Sequence, residues 1–351
     1  MPLVGPAHAA IARYNAMLHS LPNAGLLIGQ LIKQEAVLSS RIEGTQPTFG
    51  QVLKFEAEGK PNDESTAQKA DVQKVLNYAD ALLEAMRLRQ TLPLSQRLIK
   101  QTHAVLMRGV RGTEQEPGHY RRVSNWIGPQ GAAQEQARFI PCDAAQIEQA
   151  MAEWEGYLHS ETPDKLIQLA ILHAEFEAIH PFLDGNGRLG RLIVTLYLVA
   201  KDIVPAPHFY ISEYLERNRE EYTERLLAVS RDDDWTGWGA FFLQALTRQA
   251  ASGGEKTRKI FRLYNEKKDW IQQAAHSQYG MLALDWIFAN PVFLTSRFFA
   301  ESGIPKPTAI RILRELRKQD MLSEVQPGRG RRPAMLAFPE LLAIAGEEDG
   351  F

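Results

Sequence analysis

Apolar residues recur at spacings of three and four along most of the chain, the period of helices that bury one face. This pattern predicts helices over 24–43, 64–89, 95–107, 144–159, 164–179, 187–201, 212–229, 234–250 and 255–277. Strands do not alternate with these helices, which argues against a doubly wound α/β sheet. Turn and breaker residues fall in 44–63, read as a link between an N-terminal arm and the main bundle. They fall again in 117–141, where Pro117-Gly118, Gly128-Pro129 and the extended piece Arg138–Pro141 suggest a small β-hairpin.

Ala-Ser-Gly-Gly at 251–254 marks a boundary, beyond which the pattern changes. Thr295 is placed to cap a short helix through Phe299, and Gly303-Ile-Pro305 makes a turn. Pro307 suits the first position of a second helix running to Gln319. Leu322–Gln326 and Ala334–Phe338 read as two strands around the tip Pro327–Pro333. Helix, turn, helix and a two-stranded wing is the plan of a winged helix. The expected fold class is mainly α, a helical bundle with a hairpin flap followed by a C-terminal winged helix. The expected division is 1–60 arm, 61–250 core, 251–278 helical linker and 279–345 winged helix.

Composition changes little in this picture. Hydrophobic residues make up 44% and charged residues 23%, with a formal net charge of -2, so nucleic-acid or membrane binding requires a local patch. The single cysteine, Cys142, forms no internal disulfide. No signal peptide begins the sequence and no apolar run approaches the ~20 residues that span a bilayer. A cytoplasmic, membrane-free protein is the expectation.

The chemistry concentrates in His180-Pro-Phe-Leu-Asp184-Gly-Asn186-Gly-Arg188-Leu-Gly-Arg191. Gly185 and Gly187 let backbone amides approach an anion, and a buried helix beginning near Gly187 adds the positive end of its dipole. Arg188 and Arg191 share one face of its first turn, an unfavourable pairing unless an anion such as a polyphosphate lies between them. Asp184 supplies a single carboxylate of the kind that holds Mg²⁺ together with phosphate oxygens. His180 is the natural general base for a hydroxyl. Each residue alone also fits an ordinary turn between helices; the conjunction does not.

This segment resembles the Fic signature, His-Pro-Phe-x-(Asp/Glu)-Gly-Asn-(Gly/Lys)-Arg-x-x-Arg, at every specified position, and the resemblance extends over roughly 24–250. It implies a Fic-type helical bundle that transfers AMP from ATP to a Tyr, Thr or Ser hydroxyl of a protein, itself included. By the resemblance, His180 deprotonates that hydroxyl and Asp184 holds Mg²⁺. Asn186 and the amides of Gly185, Gly187 and Arg188 bind the inner phosphates, with the Arg188 side chain, and Arg191 binds the γ-phosphate. Relatives that transfer a phosphoryl group carry lysine in place of Gly187, which favours AMP transfer here; UMP transfer stays open.

Upstream, Ser39-Ser-Arg-Ile-Glu43-Gly44 resembles the family's inhibitory motif, (Ser/Thr)-x-x-x-Glu-(Gly/Asn). Ser39 and Glu43 lie one helical turn apart, and Gly44 is placed to end the helix. A carboxylate in a last turn opposes the helix dipole unless a cation meets it. The resemblance names that cation as Arg191, so Glu43 would occupy the γ-phosphate's place. The same glutamate could alternatively orient a water for AMP removal. Pro117–Arg121 with Asn125–Pro141 resembles a flap that aligns the target as an added strand. Tyr222 is a candidate for the adenine, although aromatics at helical spacing more often build core.

Residues 297–332 carry nine Lys or Arg against four acids, compatible with DNA contact or with a dimer or partner dock. Two other functions compete with AMP transfer. A metal-dependent hydrolase could use His173, Glu177, His180 and Asp184, although no HExxH is present. A nucleotide-sensing, winged-helix DNA-binding regulator could use a degenerate core, against which the intact His180 argues.

Overall fold

The computed structural model describes residues 2–19, 24–58, 66–109, 116–128, 134–274, 278–330 and 332–345. Parts of the sequence expectations, residues 59–65 of the link and the next helix, 129–133 of the hairpin, 275–277 of the linker helix and Arg331 of the wing, lie outside them.

The helices in chain order are α1 (Val4–His19), α2 (Ala24–Ile42), α3 (Phe49–Glu58), α4 (Thr66–Leu88), α5 (Gln96–Leu106), α6 (Ile147–His159), α7 (Lys165–Ile179), α8 (Asn186–Ala200), α9 (Ser212–Arg217), α10 (Arg219–Asp232), α11 (Trp235–Ala274) and α12 (Gly280–Ala289). Strand β1 (Val292–Leu294), α13 (Thr295–Glu301), α14 (Lys306–Lys318), β2 (Ser323–Gln326), β3 (Met335–Ala337) and α15 (Pro339–Ala345) complete the chain. The fold is mainly α, as the periodicity predicts.

Two compact units share these elements. One comprises Met1–Ala16, Leu38–Thr45 and Gln73–Ala251; the other comprises Met17–Val37, Gln46–Val72 and Ser252–Phe351. In the first unit α8 is the central helix, with every residue from Arg188 to Val199 buried. Beyond its first turn it is apolar on every face except at Thr195, as expected of a core helix. Helix α7 packs along it. Asp164 caps α7, its carboxylate accepting from the amides of Leu166 (2.9 Å) and Ile167 (3.0 Å).

In the second unit β3 lies between β1 and β2, both antiparallel to it, with Val292 and Ser323 each opposite Ala337. Its residues are wholly buried, and Phe288, Phe293, Phe298 and Phe338 form the aromatic centre of the core beneath.

Several expectations are corrected. The link 44–63 contains α3, which a capping box announces: the Gln51 amide donates to Thr48 Oγ1 (3.2 Å) and the Thr48 amide to Gln51 Oε1 (2.9 Å). The helix break expected at 251–254 is absent, α11 running through it, although the first unit ends at Ala251 and the second resumes at Ser252. A glycine costs only ~1 kcal/mol in a helix interior, which the apolar period on either side outweighs. The 212–229 helix breaks at Asn218, whose side chain donates back to the Tyr214 carbonyl (2.8 Å). The hairpin at 117–141 reduces, among the described residues, to the bridge Ile127–Phe139. Helices α1 and α12 and strand β1 were not foreseen.

Candidate functional site

The geometry of the loop begins where α7 ends. His180 adopts a left-handed backbone (φ 49, ψ 61) as the residue ending α7, its amide still donating to the Phe176 carbonyl (3.0 Å). This turns the chain sharply into Pro181 and Phe182, and Phe182 is fully buried. Gly185 takes φ 82 and starts α8, a conformation L side chains rarely adopt. Asn186 is buried and closes the loop on itself: its Oδ1 accepts from the Phe182 amide (2.9 Å) and its Nδ2 donates to the Phe182 carbonyl (2.7 Å). Its side chain therefore shapes the loop rather than reaching out, and phosphate contact would fall to its backbone amide. The first amides of α8 have no acceptor within their own helix and carry the positive end of its dipole.

Arg188 is 3% exposed. Its guanidinium approaches Met107 Sδ at 3.6 Å and Asp184 Oδ1 at 3.7 Å, and Nη1 is buried with no hydrogen-bond partner. Burial pulls its pKa below the ordinary arginine value, the nearby carboxylates of Asp184 and Glu43 opposing this. A buried cation with an orphan donor is costly unless an anion completes it.

Arg191 is completed. Its Nε donates to Ser39 Oγ (2.9 Å), and Nη2 donates to the Ser39 carbonyl (2.8 Å) and to Glu43 Oε1 (2.6 Å). The last turn of α2 thus sits against the first turn of α8. Arg191 is 1% exposed, whereas the Glu43 side chain keeps 42%. Burial pushes the Glu43 carboxyl up, but Arg191, with Arg188 behind it, brings it below the ordinary carboxylate value. The pair is therefore ionised at neutral pH. A Cβ on Gly187 would lie 2.3 Å from Glu43 Oε1, so the carboxylate occupies space that only glycine leaves open.

Burial pulls the His180 pKa down to about 4, against the upward pull of Glu43, leaving the imidazole neutral at pH 7 with a free lone pair. Asp184 is half-exposed and its Oδ1 accepts from the Gly185 amide (2.6 Å). One carboxylate is a fitting donor for Mg²⁺ only in company with phosphate oxygens. Among the described residues no three His, Cys, Asp or Glu side chains gather as metal ligands. His173, required by the hydrolase reading, has its Nε2 within 2.9 Å of the Tyr222 hydroxyl and its ring against Trp238.

Tyr222 is 3% exposed, its ring among Trp238 and Phe241 and its hydroxyl on His173. That favours the core role over an adenine contact. Burial raises the phenol's pKa well above the ordinary value, with Glu177 adding to the rise. Glu177, which the sequence offers only as a ligand in the hydrolase reading, lies beside this cluster. Burial lifts its pKa to about 7, and its Oε1 is sealed without a partner.

Sequence reasoning also missed His103 and, as more than part of a flap, Arg121. Both are buried and bond the loop's main chain. His103 lay inside an amphipathic helix with nothing to distinguish it. Arg121 carried a signal, a cation in a run of turn residues.

Comparison with known proteins agrees with this geometry. Residues 1–87 match the family description Fic/DOC family N-terminal, and residues 93–198 match Fic/DOC family. The chain is 32% identical over 93 residues to the Protein adenylyltransferase Fic of Drosophila yakuba, covering 26% of this chain and 17% of that protein. It is 33% identical over 91 residues to a probable protein adenylyltransferase of Aquifex aeolicus, covering 26% of each. The matched region thus spans about a quarter or less of these relatives. A Fic family protein from Desulfovibrio desulfuricans G20 superposes with a TM-score of 0.60 at 22% identity, over 96% of both chains. Fic-1 from C. elegans superposes with a TM-score of 0.53 at 17% identity, over 73% of this chain and 72% of that one. With two family matches lying end to end over its N-terminal 198 residues and the loop 180–191 in the same fold, the chain belongs to the Fic/DOC family.

Proposed function

We propose that the chain is a protein adenylyltransferase that moves AMP from ATP to a Tyr, Thr or Ser hydroxyl, held in check by Glu43. The observation that carries this reading is the buried Arg188 guanidinium with an orphan donor, beside the N-terminus of α8 and a neutral histidine. Phosphates in that place would satisfy Arg188 and the amides of Asn186, Gly187 and Arg188 together. The target oxygen would attack the α-phosphorus as His180 accepts its proton, and the bond to the β-phosphate oxygen would break to release pyrophosphate. Asp184 would hold Mg²⁺, which when bound neutralises phosphate charge. Glu43 on Arg191 takes the cation that the γ-phosphate needs, so ATP would bind without a productive pose.

Exposed apolar side chains on the flap support a peptide substrate. Val123, Trp126, Ile127 and Ile140 all face solvent beside the Ile127–Phe139 bridge. A target segment added as a strand would cover them, with main-chain pairing giving affinity and little sequence demand.

The test uses the Glu43→Gly chain with a lysate and ATP labelled at either end. Label from the α-phosphate should enter protein and label from the γ-phosphate should not; the opposite pattern would replace AMP transfer by phosphoryl transfer. Labelled UTP in parallel reads the base.

For the C-terminal segment we propose a winged helix that contacts DNA. Helix α14 buries Ala309, Ile312, Leu313 and Leu316, and it exposes Arg311, Arg314 and Lys318 on the opposite face. A cationic stripe backed by core is how a recognition helix enters a major groove. Anisotropy with duplex DNA at about 50 mM salt should show binding that weakens steeply as salt rises. Arg311→Ala with Arg314→Ala should flatten that slope. Binding that ignores both changes would assign the face to a protein partner or to a homodimer.

A further inference from the structure

Each of the six consecutive main-chain carbonyls from Ile179 to Asp184 accepts a hydrogen bond. Arg121 takes the first three. Its Nη2 donates to Ile179 O (3.3 Å), its Nε to His180 O (2.8 Å) and its own backbone amide to Pro181 O (2.9 Å). Asn186 Nδ2 takes Phe182 O, and Asn125 Nδ2 reaches Leu183 O at 3.4 Å. His103 Nε2 takes Asp184 O at 2.9 Å. Five of the six donors come from residues 103, 121 and 125 rather than from the loop or its helices.

We infer that Arg121 and His103 are positioning residues for the proposed transfer, holding His180 and Asp184 in place through their main-chain carbonyls. The inference rests on the transfer reading of the loop and names the groups that pre-form it.

Arg121 is 2% exposed, and its remaining bonds also go to carbonyls, those of Val123 (3.0 Å) and Cys142. A guanidinium is normally buried against a carboxylate; here four bonds from its rigid fork all go to backbone carbonyls. The segment it grips contains the left-handed His180, a conformation a non-glycine residue keeps only when its surroundings over-determine it. Bonds to the carbonyls on both sides of the His180 Cα fix the direction of its side chain.

His103 works at the other end. It is fully buried and stacks on Phe182, ring centroids 3.8 Å apart. The Gly118 amide donates to its Nδ1 (2.9 Å), so that nitrogen is the acceptor and Nε2 carries the proton offered to Asp184 O. Burial pulls its pKa down to about 4, in keeping with the neutral form this requires. Gly118 itself stands at φ 82 with Lys100 O 3.0 Å from where a Cβ would be, so the chain approaches His103 there only as glycine. His103 thereby ties the start of the flap segment to the residue proposed to hold the metal.

Misplacing a reacting group by ~1 Å costs about 10²-fold in rate. The test compares His103→Leu, His103→Gln, Arg121→Met and Arg121→Lys in the Glu43→Gly chain. Glutamine offers one donor and one acceptor on a planar amide, as the neutral histidine does. We expect kcat to fall roughly 10²-fold in His103→Leu and Arg121→Met. The KM for ATP should change far less, and His103→Gln should recover most of the loss. Hydrogen exchange of the peptide spanning 179–188 should speed up by about tenfold in the two damaging variants, with the rest of the first unit unchanged. Should Arg121→Met fail to fold, Arg121→Lys, which keeps the charge but only one donor nitrogen in place of the fork, reads the same loop. Unchanged kcat and unchanged loop exchange would overturn the inference, as would equal losses in His103→Leu and His103→Gln. An inactive Glu43→Gly parent would sink the transfer reading instead, and loop exchange would still decide the positioning.

Discussion

Glu43→Gly should raise incorporation of α-labelled AMP roughly 10–100-fold over the unaltered chain, because a charge-assisted bond worth ~1.5–3 kcal/mol no longer competes for Arg191. The lower half of that range is the better expectation, since the Glu43 side chain remains 42% exposed and part of its attraction is screened by solvent. The freed Arg191 would remain bonded to Ser39 and aimed at the place the carboxylate left. Gly187→Ala supplies a contrasting arm. A Cβ there meets Glu43 Oε1 at 2.3 Å and Arg191 Nη1 at 3.1 Å, so it crowds the place of the phosphates as well as the carboxylate, and labelling should not rise. Added to Glu43→Gly, it should lower labelling below that of Glu43→Gly alone. Unchanged incorporation in Glu43→Gly would remove the brake from this account. Acidification alone is a poor release. The Glu43 carboxyl is held below its ordinary value, so the pair is present at neutral pH and is lost only as pH falls through that depressed value.

His180→Ala in the Glu43→Gly chain should lower labelling by about 10²–10⁴-fold, the usual contribution of a general base. The pH profile gives a sharper reading than the loss itself. With burial holding the imidazole at about 4, the base form predominates from pH 8 down to pH 5. Removing Glu43 takes away an upward influence on that value and keeps it low. In the free enzyme kcat/KM should stay flat between pH 8 and 6 and fall only as pH approaches 4. An ordinary histidine would lose half its activity near ~6.5. A midpoint there, or label that survives the loss of His180, would contradict a buried neutral base.

The loop was readable in the sequence because its chemistry is local. Gly185 and Gly187, the phase of Arg188 and Arg191, and an acid and a histidine within twelve residues all act over one helical turn, a range that spacing resolves. Helices with a clear apolar stripe, such as α5 and α14, were legible for the same reason. The glycines at 253 and 254 misled as a helix break, though not as the place where the units divide, because a propensity of ~1 kcal/mol is weaker than the packing of the helix around it. Helix α3 was hidden by nearby prolines and glycines, although its capping box stood in plain view.

Tertiary structure decided which partners these groups meet. The sequence proposes that Glu43 faces Arg191; 148 residues separate them, and only the fold brings the last turn of α2 onto the first of α8. Asn186 looks like a phosphate ligand in the sequence and is folded back on Phe182, because the loop must satisfy its own buried main chain before it binds anything. Tyr222 looks available for a base and is drawn into the core beside Trp238, where burying an aromatic ring is worth more than exposing it. His103 and Arg121 have no role that a sequence period can express, since their partners are backbone carbonyls, present in every residue and marked by none. Short-range geometry fixed the reactive loop; long-range packing fixed what restrains it.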